Sequence, residues 1–433
     1  MPRDFGGETD PAGESARPGR GGLLARVAVD LTPLRVSQPF RRLWFGQAVS
    51  AIGNQITTVA LPFQLYELTH STLLVGLLGL AALVPLLTVP LLAGAAADTA
   101  DRRRLMLAGE VVILTASASL LVNVLVGEPR VWVLFAAEVL GTTGWSIARP
   151  AMSAATPRLV PRNLIPSAVA VQSVYSNFAH VAGPALGGVL IAAIGLRGVY
   201  LLDVATFGAS ITAAYLLPAI PPSEAAGERG LRSILEGLRY VRSRRVLLGI
   251  FLVDTNAMIF GMPSALFPAF AEHLGGGPRT VGILFAAPYA GAFAASLVSG
   301  WIAHVRRQGL GVCLAAAGWG VAIAVFGLTS SLLPAATALA FAGAADFISA
   351  VLRDAILLTA SPDELRGRLS GIELAQVAGA PALGNLEAGV VASLASVRTS
   401  IVSGGILTVA GTVAIALAVP ALVRHDALEP RRE

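Results

Sequence analysis

Long apolar segments alternate with short polar loops along almost the whole chain after residue 42. Each apolar segment is longer than the roughly 20 residues that a helix needs to cross a bilayer. A mean hydropathy of +0.72 also makes a soluble fold with one core improbable on physical grounds. The pattern predicts twelve transmembrane helices, over residues 43–67, 72–97, 105–127, 131–156, 164–194, 197–218, 246–272, 280–303, 309–329, 332–359, 369–396 and 398–423.

Polar segments divide this pattern into five parts. Residues 1–42 are rich in Gly, Pro and Arg, which predicts a disordered cytoplasmic tail. An N-terminal six-helix half over 43–218 and a C-terminal half over 246–423 follow, with a cytoplasmic tail at 424–433. Apolar residues recur at helical spacing in the linker at 219–245, which predicts an amphipathic helix on the membrane surface.

The distribution of positive charge orients the chain. All 31 basic residues are arginine, and a cytoplasmic N-terminus places 25 of them on the cytoplasmic side. Since basic residues favour cytoplasmic loops, both termini are expected in the cytoplasm, with the protein in the cell membrane. The anionic inner leaflet then accounts for the basic composition without a nucleic-acid partner. Four arginines lie outside and two within spans: Arg130, Arg197, Arg279 and Arg398, then Arg149 and Arg353.

The composition offers little support for an enzyme. The one cysteine, Cys313, lies inside an apolar segment, and five scattered histidines show no metal-ligand spacing. No phosphate-binding loop of the Gly-x-x-x-x-Gly-Lys type occurs. Neither a cofactor nor a metal is therefore expected.

The two halves repeat each other. Arg149 and Arg162 are separated by the same interval as Arg353 and Arg366, and "GPALGG" in the fifth span is echoed by "APALGN" in the eleventh. Two similar six-helix halves imply a pseudo-two-fold axis along the membrane normal and a pathway between the halves.

The loop between the second and third spans carries a family signature. It matches the pattern Gly-x-x-x-Asp-x-x-Gly-Arg-Arg at Gly94, Asp98, Arg102 and Arg103, although Asp101 stands at the usual glycine. With this loop the chain resembles the major facilitator superfamily over nearly its full length. The first span further resembles the efflux branch that contains enterobactin exporters and macrolide pumps. The resemblance implies an all-α integral membrane protein of twelve transmembrane helices in two pseudo-symmetric halves.

Physical reasoning gives the signature loop a role as a conformational latch. The Asp98 carboxylate can lie against the positive end of a helix from the other half, and the best candidate is the start of the eleventh span. There Ser370 and Glu373 have the spacing of a capping box, which predicts a helix N-terminus. In the repeat His304 takes the place of the acid, so the two halves are predicted to be unequal. The predicted latch consists of Gly94, Asp98, Arg102, Arg103, Arg366 and Arg368.

The fifth span contains a segment of small residues, "GPALGG". It resembles a motif associated with antiporters in drug-exporting branches of the superfamily. Its glycines remove side chains from one helix face, and its proline breaks a backbone hydrogen bond, so close helix packing is expected. The residues of this predicted packing site are Gly183, Pro184, Gly187 and Gly188.

Ionisable residues inside spans are candidates for transport because they are costly unless they face protein or water. The resemblance implies that spans one, four, seven and ten line a central cavity. The residues there that could bind protons or substrate are Asn54, Gln55, Glu138, Arg149, Asp254, Asn256, Asp346 and Arg353. Four others, for which helix-to-helix contacts or closeness to an interface are favoured over transport, are Glu110, His180, Asp203 and Glu387.

Counting residues along the spans gives two more predictions. Asp254 lies at the depth of Arg149 and Arg353, so it is expected to pair with one of them. Asp346 lies near the bilayer midplane with no arginine at its own depth, so it is predicted to be the proton carrier.

These features together predict a secondary active transporter that exports a small amphiphilic molecule in exchange for protons by alternating access. An uptake permease of the same fold, or a transport-inactive receptor or scaffold, remains an alternative. The expected partners are the small-molecule substrate, protons and the lipid bilayer, and the protein is expected to function as a monomer.

Overall fold

The computed structural model describes residues 30–97, 100–221 and 231–426, and this part of the chain contains helices and no strand. Short 3-10 segments lie at Arg162–Leu164, Ser264–Leu266 and Ser299–His304. The α-helices are α1 Thr32–Val36, α2 Gln38–Thr69, α3 Thr72–Ala97, α4 Arg102–Leu125, α5 Val131–Leu159, α6 Ile165–Tyr215, α7 Leu231–Ser243, α8 Arg245–Phe260, α9 Phe267–His273, α10 Pro278–Leu297, α11 Gln308–Leu328, α12 Leu332–Ala360, α13 Asp363–Leu394, α14 Val397–Ala418 and α15 Pro420–Val423.

Ten helical stretches among the described residues are long and apolar enough to cross a membrane. One of them, Arg162–Tyr215, has 54 residues and turns sharply at Gly195, whose φ of 68° is open to glycine at little cost. It therefore covers the fifth and sixth predicted spans. The first predicted span lies in α2, which has 32 residues but is not among the ten. The structure thus has the all-α fold of the prediction, while the count of twelve crossings stays a prediction.

The tail that was predicted to be disordered, residues 1–42, contains helical residues at its C-terminal end. Helix α1 and the start of α2 lie before residue 43, and the hydroxyl of Ser37 accepts a hydrogen bond from the backbone N–H of Phe40 at 3.2 Å. Phe40 is fully buried in the first half, so this first turn has a tertiary anchor. Apolar burial and an N-terminal cap thus order residues that composition alone assigns to the tail.

The seventh predicted span is interrupted rather than continuous. Helix α8 ends at Phe260, and Pro263, which has no backbone N–H, precedes a 3-10 turn and α9. The freed backbone groups find partners on other helices. The indole N–H of Trp319 donates to the carbonyl of Gly261 at 2.9 Å, and Asn385 Oδ1 accepts from the N–H of Ala265 at 2.9 Å.

The two halves share one core at one end of the molecule and have separate cores at the other. We call the end where α2 begins and α14 ends the terminal end, and the opposite end the distal end. The distal core joins Ile56 and Tyr200 of the first half to Phe270 and Phe326 of the second. At the terminal end one core contains no residue of the second half, and the other contains residues of the linker and second half only. Among the described residues, the halves are therefore packed together distally, while their cores near the termini are separate.

Helix α7 lies in the predicted linker segment and packs on the second half. Val241 belongs to the terminal core of that half, and Gly237 lies against Ile372 of α13. The carboxylate of Glu236 pairs with the guanidinium of Arg368 at 2.7 Å. These contacts fix the linker helix to the first turns of α13.

Candidate functional site

A large cavity of about 570 Å³ lies in the first half. Helix α2 runs from the terminal to the distal end, and its cavity-lining residues Gln47 to Gln55 precede Ile56 of the distal core. The cavity is therefore on the terminal side of the place where the halves meet. Its polar and aromatic lining residues are Gln47, Ser50, Asn54, Gln55, Glu110, Trp145, Arg149, Ser153, Gln172, Ser173, Tyr175, Ser176, Asn177, His180 and Phe207.

Three residues of the predicted transport set, Asn54, Gln55 and Arg149, line this cavity together. Arg149 is exposed, and its guanidinium carbon lies 5.3 Å from the centre of the Trp145 ring, within range of a cation–π interaction. The cavity thus offers a free positive group beside an aromatic face. Such a wall suits an amphiphilic ligand that carries oxygen acceptors.

Glu110 lines the large cavity, although it lies on the third span and not on one of the four spans expected to line the pathway. It is 4% exposed, lines the cavity, and accepts a hydrogen bond from the side-chain amide of Gln47 at 2.8 Å. Gln47 also donates to the hydroxyl of Ser210 at 3.0 Å, so three helices meet at this carboxylate. The predicted helix-to-helix contact is present, and the same group faces the cavity. His180, ranked with Glu110 in the sequence, also lines the cavity.

The second half contains a buried ion pair between Asp254 of α8 and Arg353 of α12. Asp254 is 4% exposed and Arg353 9%. The guanidinium also contacts the hydroxyl of Ser349 at 3.2 Å, and the amide of Gln376 donates to Asp254 Oδ2 at 3.0 Å. The pairing predicted from depth is therefore present, with Arg353 and not Arg149 as the partner.

Further acids surround this ion pair. Glu373 of α13 lies within electrostatic range of Asp354 of α12 and of both members of the ion pair. Arg353 and Asp254 are within electrostatic range of Asp346 as well. Arg353 follows Asp346 by seven residues on the same helix, which is about 10 Å along the axis. Its charge therefore acts on Asp346 from another depth, and the expectation that no arginine lies at the depth of Asp346 stays a prediction. Asp346 itself is exposed.

The predicted capping box at Ser370 and Glu373 is also wrong. Helix α13 begins at Asp363, directly after Pro362, so both residues lie well inside the helix. Ser361 before the proline is extended, as the residue before proline tends to be, and this sets the helix start earlier. Glu373 and Gln376 consequently face the ion pair, and sequence reasoning missed both as members of the site.

A second, smaller cavity of about 300 Å³ adjoins the large one, with which it shares Asn54, Ile113 and Trp145. Glu138 and Asp203 line this side cavity. Asp203 is 1% exposed and accepts hydrogen bonds from the hydroxyls of Thr57 and Ser117 at 2.8 and 2.7 Å. The contact between helices expected for Asp203 is therefore present, and Asp203 also faces a cavity.

Asn256 does not join these groups. Its side-chain amide donates to the carbonyl of Thr408 at 2.9 Å and to the hydroxyl of Thr412 at 3.4 Å, both on α14. It lines none of the cavities described above. Helix α8 is rotated so that Asp254 faces the second-half ion pair while Asn256, two residues on, faces α14. Its place in a transport cavity therefore stays a prediction.

The signature loop lies partly outside the described residues, which do not include Asp98. The described arginines contact their own half: Arg102 donates to the carbonyl of Ala154 at 2.9 Å, and Arg103 lies 5.2 Å from the centre of the Tyr215 ring. Gly94 is in the last turn of α3, and the side chain of Arg366 is not among those described. With Arg368 paired to Glu236, the latch between the halves stays a prediction.

The segment Gly183–Gly188 of α6 packs closely against two helices. A side chain at Gly183 or Gly187 would collide with Gln55 or Ile56 of α2. Gly188 faces Gly282 of α10 so closely that a Cβ on either would lie 2.8 Å from the other's Cα. The predicted close packing is present and joins the two halves at the distal end, while the link to antiport stays a prediction.

Comparisons with known proteins agree with this architecture. The model of the family described as transmembrane secretion effector matches residues 28–432. The enterobactin exporter EntS of Citrobacter koseri is 30% identical over 388 residues, covering 88% of this chain and 92% of that protein. EntS of Escherichia coli K12 is 29% identical and covers 92% and 95%.

Solved transporter structures share the fold. A bacterial homologue of the iron transporter ferroportin in an inward-facing state has a TM-score of 0.68 at 13% identity, covering 90% of this chain and 99% of that one. A bacterial homologue of the lysosomal transporter Spinster has a TM-score of 0.66 at 15% identity, covering 91% and 97%. Family match, relatives and fold agree: the chain belongs to the transmembrane secretion effector family of the major facilitator superfamily and is a multi-pass membrane efflux transporter.

Proposed function

We propose that the protein exports a small amphiphilic molecule in exchange for protons by alternating access. The observation that carries the proposal is the unequal contact between the halves. They share a core distally, they have separate cores near the termini, and the large cavity lies on the terminal side. Rocking of such halves about a site at mid-depth exposes the site to each side in turn.

The orientation follows from the arginines. Of the 31, those at the terminal end dominate, and basic loops favour the cytoplasm. Both termini then lie in the cytoplasm of a cell-membrane protein, and the described conformation is inward-facing. A cavity open to the cytoplasm is the state that an exporter uses to load its substrate.

The large cavity supports an amphiphilic substrate with oxygen acceptors. Arg149 and Trp145 provide a positive group and an aromatic face, while Gln172 and Asn177 provide amides for hydrogen bonds. The curated relatives are enterobactin exporters, so a siderophore-like metabolite is the first compound to test, followed by drugs and antibiotics.

Proton coupling is assigned to the acids of the second half, with Asp346 as the carrier. This carboxylate is exposed, lies near mid-depth on α12, and is within electrostatic range of Arg353. Asp254 is a weaker candidate because its own ion pair with Arg353 holds it charged. Protonation of Asp346 would alter the charge balance around Arg353 and so favour one conformation over the other.

Transport into inverted membrane vesicles tests the proposal. With enterobactin first and then a panel of amphiphilic antibiotics as probes, an imposed acidic lumen should drive accumulation of a transported compound, and a protonophore should abolish it. Accumulation that does not depend on the pH gradient would exclude proton coupling. Accumulation only in right-side-out vesicles would show uptake and contradict the proposed direction of transport.

A further inference from the structure

We propose that the side cavity binds the cationic group of an organic substrate, and this proposal rests on the export function proposed above. The substrates would then include amphiphiles that carry a permanent or protonated positive charge. The argument starts from the charges of the lining residues. Glu138 and Asp203 are the ionisable residues in the described lining, and no basic side chain is among them.

The state of Asp203 points to a missing partner. Its Oδ2 accepts hydrogen bonds from the hydroxyls of Thr57 and Ser117, while Oδ1 is buried and has no hydrogen-bond partner among the described residues. A buried carboxylate oxygen without a partner is costly, so a cation in the cavity would relieve that cost.

The opposite wall contributes the second acid. Glu138 is half-buried on α5, four residues before Thr142, whose hydroxyl it contacts. No basic side chain among the described lining residues balances either acid. A bound cation would supply that counter-charge to the cavity.

The neighbouring cavity gives the rest of the ligand a place. Asn54, Ile113 and Trp145 line both cavities, so a molecule can place a charged group in the side cavity and its larger body in the large one. Arg149 stands on the other side of Trp145 and does not line the side cavity. The side cavity is therefore lined by acids without a basic residue, whereas the large cavity has both Glu110 and Arg149. This difference favours a ligand with its positive group on the side of Glu138.

Two ions of matched size and opposite charge test the proposal. Tetraphenylphosphonium is a permanent cation that cannot lose a proton, and tetraphenylborate has the same shape with a negative charge. Equilibrium dialysis against the purified full-length protein, without any ion gradient, measures binding of each. The wild type should bind the phosphonium, and Glu138→Gln should weaken that binding by about tenfold or more without weakening tetraphenylborate.

Three further variants test whether the bound cation lies in the side cavity. Asp203→Asn should weaken phosphonium binding like Glu138→Gln, provided that its melting temperature shows a folded protein. Glu387→Gln removes an acid that lines neither cavity and should bind like the wild type. Gly141→Leu should weaken both ions by filling the cavity, because Gly141 lines it and has room for a side chain, with Ala116 as its nearest neighbour at 3.9 Å.

Equal binding of the two ions by the wild type, or unchanged phosphonium binding in Glu138→Gln, would overturn the proposal. Neither result bears on proton-coupled export, which the vesicle experiment decides separately because it uses a gradient and a transported substrate. Conversely, a protein that binds phosphonium through Glu138 but fails to transport in vesicles would support this site and contradict the proposed coupling.

Discussion

Asp254 and Arg353 form an ion pair that joins α8 to α12 in the interior of the second half. Neither partner is exposed by more than a tenth, and the nearby Gln376 amide satisfies the second carboxylate oxygen. The pair thus fixes two of the helices that the family resemblance assigns to the transport pathway. Residue counting predicted an arginine partner for Asp254 and left Arg149 and Arg353 as alternatives, of which the structure has Arg353.

Breaking this pair should destabilise the protein strongly. Arg353→Gln leaves the Asp254 carboxylate buried without its counter-charge, which costs about 3–5 kcal/mol in comparable buried pairs. The melting temperature of the purified protein should fall clearly. The matched control is Arg149→Gln, which removes the equivalent arginine of the first half. Since Arg149 is exposed and pairs with no acid among the described residues, its loss should leave the melting temperature nearly unchanged.

A charge swap distinguishes pairing from general damage. The double variant Asp254→Arg with Arg353→Asp restores opposite charges at the same two positions and should recover part of the lost stability. A double variant no more stable than the worse single variant would show that the ion pair does not carry the effect.

Asp346→Asn should separate proton coupling from substrate movement. The amide keeps the shape of the carboxyl group but cannot load a proton, so accumulation driven by a pH gradient should be lost. Downhill exchange of substrate needs no proton cycle and should continue. Both rates are measured in the same vesicles, with Glu387→Gln as an acid removed elsewhere in the second half. A variant that still concentrates substrate with an unchanged pH profile would exclude Asp346 as the carrier.

The sequence predicts which residues share a depth better than which way they face. Constant rise along a helix turns residue number into height, and this is why Asp254 and Arg353 could be matched. Rotation about the helix axis depends on packing with neighbours, so the sequence did not indicate all the surroundings of Glu110 and Asn256. Asn256 contacts α14, whereas Glu110 lines the large cavity.

The positions where helices break are harder to predict from the sequence than the helices themselves. Pro263 is visible in the sequence, but prolines are common in membrane helices and most of them leave the helix continuous. The break there depends on Trp319 and Asn385, which are distant in sequence and provide partners for the freed backbone. The unequal contact between the halves is a property of one conformation, and no residue pattern specifies which conformation is described.

The signature loop gives an asymmetric prediction. Asp98→Asn should reduce transport by roughly tenfold or more while membrane insertion stays normal, because a charge contact at a helix end contributes up to about 2 kcal/mol. His304→Ala, at the equivalent place in the second half, should have a much smaller effect. Transport rates normalised to the amount of protein in the membrane check both. Equal losses in the two variants would contradict the asymmetry, and normal transport by Asp98→Asn would reject the latch.

The glycine contact at the distal end should set the balance between conformations. At Gly188 a Cβ would meet the carbonyl oxygen of Pro278 and the backbone of Gly282, and neither backbone can yield without moving α10 away from α6. Gly188→Ala should therefore push the distal ends of the halves apart and disfavour the described state.

Since that state opens the large cavity at the terminal end, a cysteine at Ser173 in the cavity wall should react more slowly with a maleimide applied from that side. The labelling background is Cys313→Ser, which removes the one native thiol. Gly208→Ala on the same helix is the matched control, because a Cβ there has no atom within 4 Å and should leave labelling unchanged. If Gly188→Ala is labelled at the wild-type rate and transports normally, the contact with Gly282 does not govern the opening of the cavity.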